Sequence, residues 1–264
     1  KKLFSKTYFK YLLSMKSLSR KKATKIQAFC SYILMAVALL RGLLLIPLFI
    51  EFIGDRVYGL WLASGGILVW LSMFDLGIGR GLLQRIAHFY GQKDYKKTGE
   101  YFLNGLIIYF AISLLIMLSG LILSVPLPSL IKSNPNEISL IRKAFQIAVF
   151  SNALYVINNV LRGFATALQR PLLPMVGMVF FSLLGLFVTI TLLINQVGLL
   201  SIPIGHLVNQ LGLFFIKGSY SIILLKSLGK KFKIKRDIIY DLKSITPSLF
   251  GAKIGESVVK NIEP

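Results

Sequence analysis

The 264-residue chain is 55% hydrophobic and only 16% charged, with a mean hydropathy of +0.70, a balance that excludes an ordinary soluble domain, a disordered tail and a fibrous repeat. Its 31 Lys and Arg against 10 Asp and Glu give a net charge of +21, but long apolar intervals separate the cations, which is not the basic face on a soluble body that nucleic-acid binding needs. The single cysteine, Cys30, excludes an internal disulfide and a cysteine metal cluster.

A hydrocarbon core of about 30 Å takes about 20 apolar residues of helix to cross. Residues 1–27 come first and are basic. There Leu3, Phe4, Tyr8, Phe9, Tyr11, Leu12 and Leu13 interleave with lysines, which suits equally a helix lying on an anionic leaflet and a solvated tail. Residues 28–225 then predict six spans, near Ala28–Ile50, Val57–Gly79, Tyr101–Val125, Ala144–Ala167, Leu172–Ile194 and Leu199–Leu225. A basic linker follows over 226–243, and residues 244–264 begin a seventh, weaker helix that meets the end of the chain. That ending, with a start at Lys1, reads as truncation. The fold class expected is therefore all-α and polytopic, since only helices and closed barrels satisfy their backbones against lipid.

Lys and Arg in alternate connections orient the bundle. Counted around the six spans they total 22 on the side of the amino terminus and 4 on the other, which places the amino terminus in the cytoplasm. No cleavable signal peptide is visible, so the first span stays in the protein.

Polar groups within the spans are the functional candidates, because a charge at mid-bilayer costs roughly 2.5–3.5 kcal/mol and usually faces a bundle interior or a water-filled cavity. Arg41 lies deep in the first span beside Gly42. It reads either as a cavity cation meeting an anionic substrate or as an arginine reaching outward along its stem. On the fourth span Asn152, Tyr155, Asn159, Arg162, Thr166 and Gln169 share one helical face; such a face lines a cavity or forms an interhelical hydrogen-bond seam. The sixth span repeats the pattern more weakly through His206, Gln210, Lys217 and Ser221, with Lys217 able to snorkel. The third and fifth spans are nearly free of polar residues and are expected to face lipid. In the seventh segment Lys253, Glu256 and Lys260 share a face, and the residues alone favour a surface helix.

Asp75 precedes Gly77, Gly79 and Gly81 near the end of the second span. The glycines allow a bend or close helix approach, and the acid serves as a cap or a structural or coupling acid; the setting is not that of a phosphate loop. No nucleophile elbow, zinc motif or pair of nearby carboxylates occurs, so the residues predict no enzyme, no catalytic residue, no metal and no cofactor.

Several local patterns resemble the flippases that move O-antigen and capsule repeat units, within the multidrug/oligosaccharidyl-lipid/polysaccharide exporter superfamily. They are Ile46-Pro47-Leu48, then Ile53-Gly54-Asp55-Arg56-Val57-Tyr58-Gly59-Leu60-Trp61, then Phe74-Asp75-Leu76-Gly77-Ile78-Gly79, then Tyr90-Gly91-Gln92-Lys93-Asp94. The resemblance implies two six-helix lobes around a central cavity, of which this chain supplies the amino-terminal lobe. It also implies that the seventh helix crosses and puts Lys253, Glu256 and Lys260 in the lumen, reversing the surface reading. The implied activity is flipping of polyprenyl-pyrophosphate-linked oligosaccharides to the outer face of a bacterial inner membrane. The cavity residues would be Arg41, Asn152, Tyr155, Asn159 and the three of the seventh helix. Partners implied are the lipid-linked oligosaccharide, membrane lipids and other polysaccharide-assembly membrane proteins, with no nucleic acid. The alternatives are a cation-coupled multidrug exporter of the same superfamily, and a membrane glycosyltransferase or polymerase.

Overall fold

The structure, a computed structural model, describes residues 20–72 and 78–242. Asp75, Lys253, Glu256 and Lys260 lie outside the described residues. No strand occurs among those described, as expected of a chain with long uninterrupted apolar runs. Helix α1 (Arg20–Leu40) runs through a π-helical turn (Arg41–Leu45) into α2 (Ile46–Ile53). Pro47 explains the turn: its ring would clash with the carbonyl four residues back and it donates no hydrogen bond, so the widened turn absorbs the conflict without breaking the span. Gly54, at φ +89°, then makes the reversal into α3 (Asp55–Ser72), a backbone region that side chains disfavour.

The remaining helices are α4 (Ile78–Gly91), α5 (Tyr95–Leu123), the single turn α6 (Leu127–Leu130), α7 (Ile138–Ala167), α8 (Leu172–Ile194) and α9 (Ser201–Ser227). Asp94 starts α5 by accepting the Lys97 backbone N–H at 3.0 Å, a side-chain N-cap. Among the described residues, five segments are long and apolar enough to cross a membrane: Lys25–Ile53, Tyr95–Leu123, Ile138–Ala167, Leu172–Ile194 and Gly198–Ser227. They correspond to the first, third, fourth, fifth and sixth expected spans. The second expected span is represented by α3, which is helical over 18 residues but is not among the five. The chain is an all-α, multi-pass membrane protein.

Helix α7 is the axis of the bundle, packed by α9, α5, α4 and α3. The Phe102 and Phe164 rings stack at 3.8 Å between α5 and α7. Because lipid supplies no hydrophobic drive between helices, small residues and hydrogen bonds hold these contacts. Ser113 Oγ donates to the Ala153 carbonyl at 2.9 Å, and Asn158 Nδ2 donates to both the backbone carbonyl and Oε1 of Gln210 at 2.9 Å. Where α8 crosses α9, Gly185 and Gly205 bring backbones so close that a Cβ at either would lie 2.7 Å from the other's carbonyl oxygen. The fifth span therefore does not simply face lipid. Its Gly185 and Thr189 lie four residues apart on one face, a small-residue seam, and that seam packs on α9.

The basic linker is a folded strap. Gly229, at φ +64° just past the end of α9, stops the helix in the manner of a C′ glycine; residues 230–235 then cross the first turns of α5, and 236–242 are helical. Lys235 Nζ pairs with Glu100 Oε2 at 3.0 Å, with the Glu100 side chain 1% exposed, and the Lys235 backbone N–H donates to Asn104 Oδ1 at 3.1 Å. The Phe232 ring lies against Gly99, where a side chain would collide with it. Asp241 accepts from Arg85 Nη2 and from the Tyr101 hydroxyl, both at 2.8 Å.

The α8–α9 crossing makes a direct stability test. Gly205→Val should destabilise the bundle by roughly 1–3 kcal/mol, the usual cost of overpacking, and lower the melting midpoint in detergent by several degrees. Gly218→Ala, on the same helix with open space around it, should leave the midpoint unchanged or raise it.

Candidate functional site

Two cavities lie along α7, each bounded also by the α1–α2 span and by α8. The first, about 400 Å³, opens toward α3 and the start of α9 and is lined by Arg41, Trp61, Asn152, Tyr155, Thr189 and His206 among others. The second, about 490 Å³, opens toward α4, and its polar lining comes from Gln27, Ser31, Arg80, Asn159, Arg162 and Thr166. From Ala148 in the first to Thr166 in the second, at the helical rise, is ~27 Å. The two together thus mark a polar track along one side of α7 close to the hydrocarbon thickness.

The polar stripe of the fourth span accounts for this. Asn152, Tyr155, Asn159, Arg162 and Thr166 all line one cavity or the other, while α7 also buries Ala144, Phe145, Val149 and Val156 against its neighbours. The seam reading fits a different residue: Asn158, one position away, carries the cross-link to Gln210. Gln169 falls off the stripe, because α7 ends at Ala167 and Gln169 adopts a left-handed turn at φ +57°.

Arg41 stands on the π turn. Its guanidinium donates to the Ser182 carbonyl of α8 and borders the first cavity. Ser182 is within a helix, so this bond anchors the arginine without neutralising its charge. Asn152 Nδ2 donates to the Leu68 carbonyl of α3 at 3.2 Å, and Thr189 Oγ1 to the Gly185 carbonyl at 2.9 Å. The expected residues Arg41, Asn152 and Tyr155 thus meet in one cavity, and Asn159 lies in the other.

The structure adds residues that the sequence left in bland roles. His206 borders the first cavity and contacts Gln210 through Nε2 at 3.3 Å; its spacing of four from Gln210 was the available signal. Arg80 lines the second cavity together with Arg162 of the polar stripe. Lys217 does not snorkel. It is 3% exposed, within electrostatic reach of Arg162, and no carboxylate pairs with it among the described residues. Among the described residues, neither cavity has an Asp or Glu in its lining. Arg41 presents its charge to the first cavity and Arg162 to the second, and an anion is a natural complement to either.

A thiol must ionise to react, which hydrocarbon suppresses, so cysteines facing the track should be labelled by a charged thiosulfonate on the order of tenfold faster or more than cysteines facing lipid. In a Cys30→Ser background, Tyr155→Cys and Asn159→Cys are expected to react quickly. Phe187→Cys and Phe110→Cys, whose parent side chains are 68% and 64% exposed on outer helix faces, are expected to resist.

A family model described as MatE matches residues 62–191. A solved structure described as "Crystal structure of MATE in complex with MaD3S" superposes with a TM-score of 0.72 at 18% sequence identity, covering 90% of this chain and 55% of that one. No match was found among curated proteins. The chain thus spans about half the length of the solved protein it matches, and shares its fold over that part. The family model covers just under half of the chain, and the shared fold extends over most of it.

Proposed function

We propose that this chain forms one lobe of an exporter that flips polyprenyl-pyrophosphate-linked oligosaccharides across the membrane, from the cytoplasmic side where the amino terminus lies. The single observation that carries the reading is the charge of the two cavities: Arg41 borders one, Arg80 and Arg162 the other, with no carboxylate in either lining among the described residues. A pyrophosphate cannot cross hydrocarbon unsolvated, and a track of arginines with amide and hydroxyl neighbours offers it charge and hydrogen bonds throughout. Asn152, Asn159 and Thr166 can bond sugar hydroxyls, and Trp61 and Tyr155 present flat apolar faces beside them, the mixed lining usual for ligand sites. The lipid tail would remain in the bilayer. Alternating access by rocking against a second lobe needs no covalent chemistry.

The other reading in the superfamily, cation-coupled drug export, meets the opposite electrostatics. A cationic drug entering either cavity would face arginine side chains, with no acid in the lining among the described residues. The seventh-helix residues Lys253, Glu256 and Lys260, and Asp75 as a coupling acid, belong to the same proposal through the family resemblance alone.

In the full-length protein, Arg41→Ala and Arg162→Ala at matched expression should each lower surface polysaccharide on the order of tenfold or more, in keeping with loss of about 1.5–3 kcal/mol from a hydrogen bond to a charged group. Arg41→Lys should restore part of it, and susceptibility to cationic drugs should not change. Normal surface polymer in both alanine variants would remove the cavities from the mechanism.

A further inference from the structure

The strap after α9 is a second feature with unspent charge. Its interior contacts account for Phe232, Lys235, Ile238, Asp241 and Leu242, which are pinned on α4 and α5 or buried. The clamp uses two acids, Glu100 and Asp241, on Lys235 and Arg85. Lys230, Lys231, Lys233 and Arg236 remain exposed on its outer side, and Lys93 and Lys96 are exposed at the start of the helix it crosses. Two large apolar side chains share this surface, Ile234 at 64% exposure and Tyr240 at 68%. The acids nearby are Asp94, which caps α5 and pairs with Lys97 at 3.9 Å, and exposed Asp237.

The depth of the strap in the bundle is fixed by its contacts. It touches Gly99, Glu100 and Asn104 on α5, where that helix passes from the polar run Tyr95-Lys96-Lys97-Thr98 to the apolar run that exposes Ile107 and Phe110. Lys235 bonds Asn104, so the neighbouring Ile234 stands at the level where the outward-facing apolar residues begin. Cations with an interleaved exposed Ile and Tyr, held rigidly at that level, have the charge and polarity of a segment made to rest on anionic headgroups with its apolar side chains dipped below them.

We propose that the strap is a docking surface for the anionic lipids of the adjoining leaflet, held in a preformed shape by the Glu100–Lys235 and Arg85–Asp241 pairs. This does not rest on the transport reading. Each cation near an anionic surface contributes on the order of 1 kcal/mol at ordinary ionic strength, and a folded strap gives up little conformational freedom on contact.

The test uses the chain in nanodiscs, with a bimane fluorophore on Ile234→Cys in the Cys30→Ser background and a nitroxide carried on the headgroup of a tracer phosphatidylcholine. With about 30% phosphatidylglycerol in the disc, quenching should be about twofold or more stronger than in pure phosphatidylcholine, and about 0.5 M salt should abolish the difference. The variant Lys230→Gln, Lys231→Gln, Lys233→Gln, Arg236→Gln, which leaves the clamp residues in place, should quench in both discs as the parent does in phosphatidylcholine. Equal quenching in the two discs, or an anionic-lipid effect that resists salt, would overturn the proposal without reliance on any variant. A response to soluble inorganic diphosphate in neutral discs, with none to phosphatidylglycerol, would overturn it in favour of a free phosphate site.

Discussion

A polar or charged group inside a membrane must be hydrogen-bonded, paired or wet, and that requirement organises this bundle. Lipid cannot satisfy Arg41, Arg80, Arg162 or the amides of α7. Each has to turn toward another helix or toward a space that admits water. Helix α7 meets the requirement in both ways at once: Asn158 is spent on Gln210, while Asn152 and Tyr155 face the first cavity and Asn159 the second. The fourth span can occupy the centre of the lobe because its buried residues are mostly apolar, with Asn158 hydrogen-bonded to Gln210, and its polar stripe lines the cavities.

The supporting helices take their shapes from the same demand. The first span carries a cation deep within it, and the π turn at Arg41 lets one helix hold both that cation and Pro47 while still crossing. Its guanidinium is steadied by a backbone carbonyl of α8, so the charge is oriented and left unneutralised. The close crossing of α8 and α9 at Gly185 and Gly205 brings Thr189 and His206 to the wall of the same cavity. Packing and site are thus built from the same few small residues.

Much of this was legible in the sequence, because length and apolarity report directly on crossing helices. The fifth span matched its expected limits, and the polar stripe on the fourth was visible from helical spacing. What stayed hidden depends on partners distant in the chain. No periodicity tells that Ser182 offers a carbonyl to Arg41, or that Glu100, an acid near a helix end, is buried because Lys235 reaches it from the strap. The fifth span keeps an outward apolar face, as expected; its seam stayed hidden because glycine and threonine count as neither charged nor strongly polar, yet in a bilayer they allow close helix approach. Lys217 was assigned to snorkelling from its position, whereas packing by α7 and α8 encloses it.

The central claim is that the cations of this lobe face wet, anion-receptive space. Crystals soaked in bromide would test it most directly, since anomalous scattering locates that anion without a model of the ligand. The account expects bromide beside Arg41 in the first cavity and between Arg80 and Arg162 in the second. Bromide confined to the exposed lysines of the strap, with detergent or lipid chains filling both cavities, would contradict it.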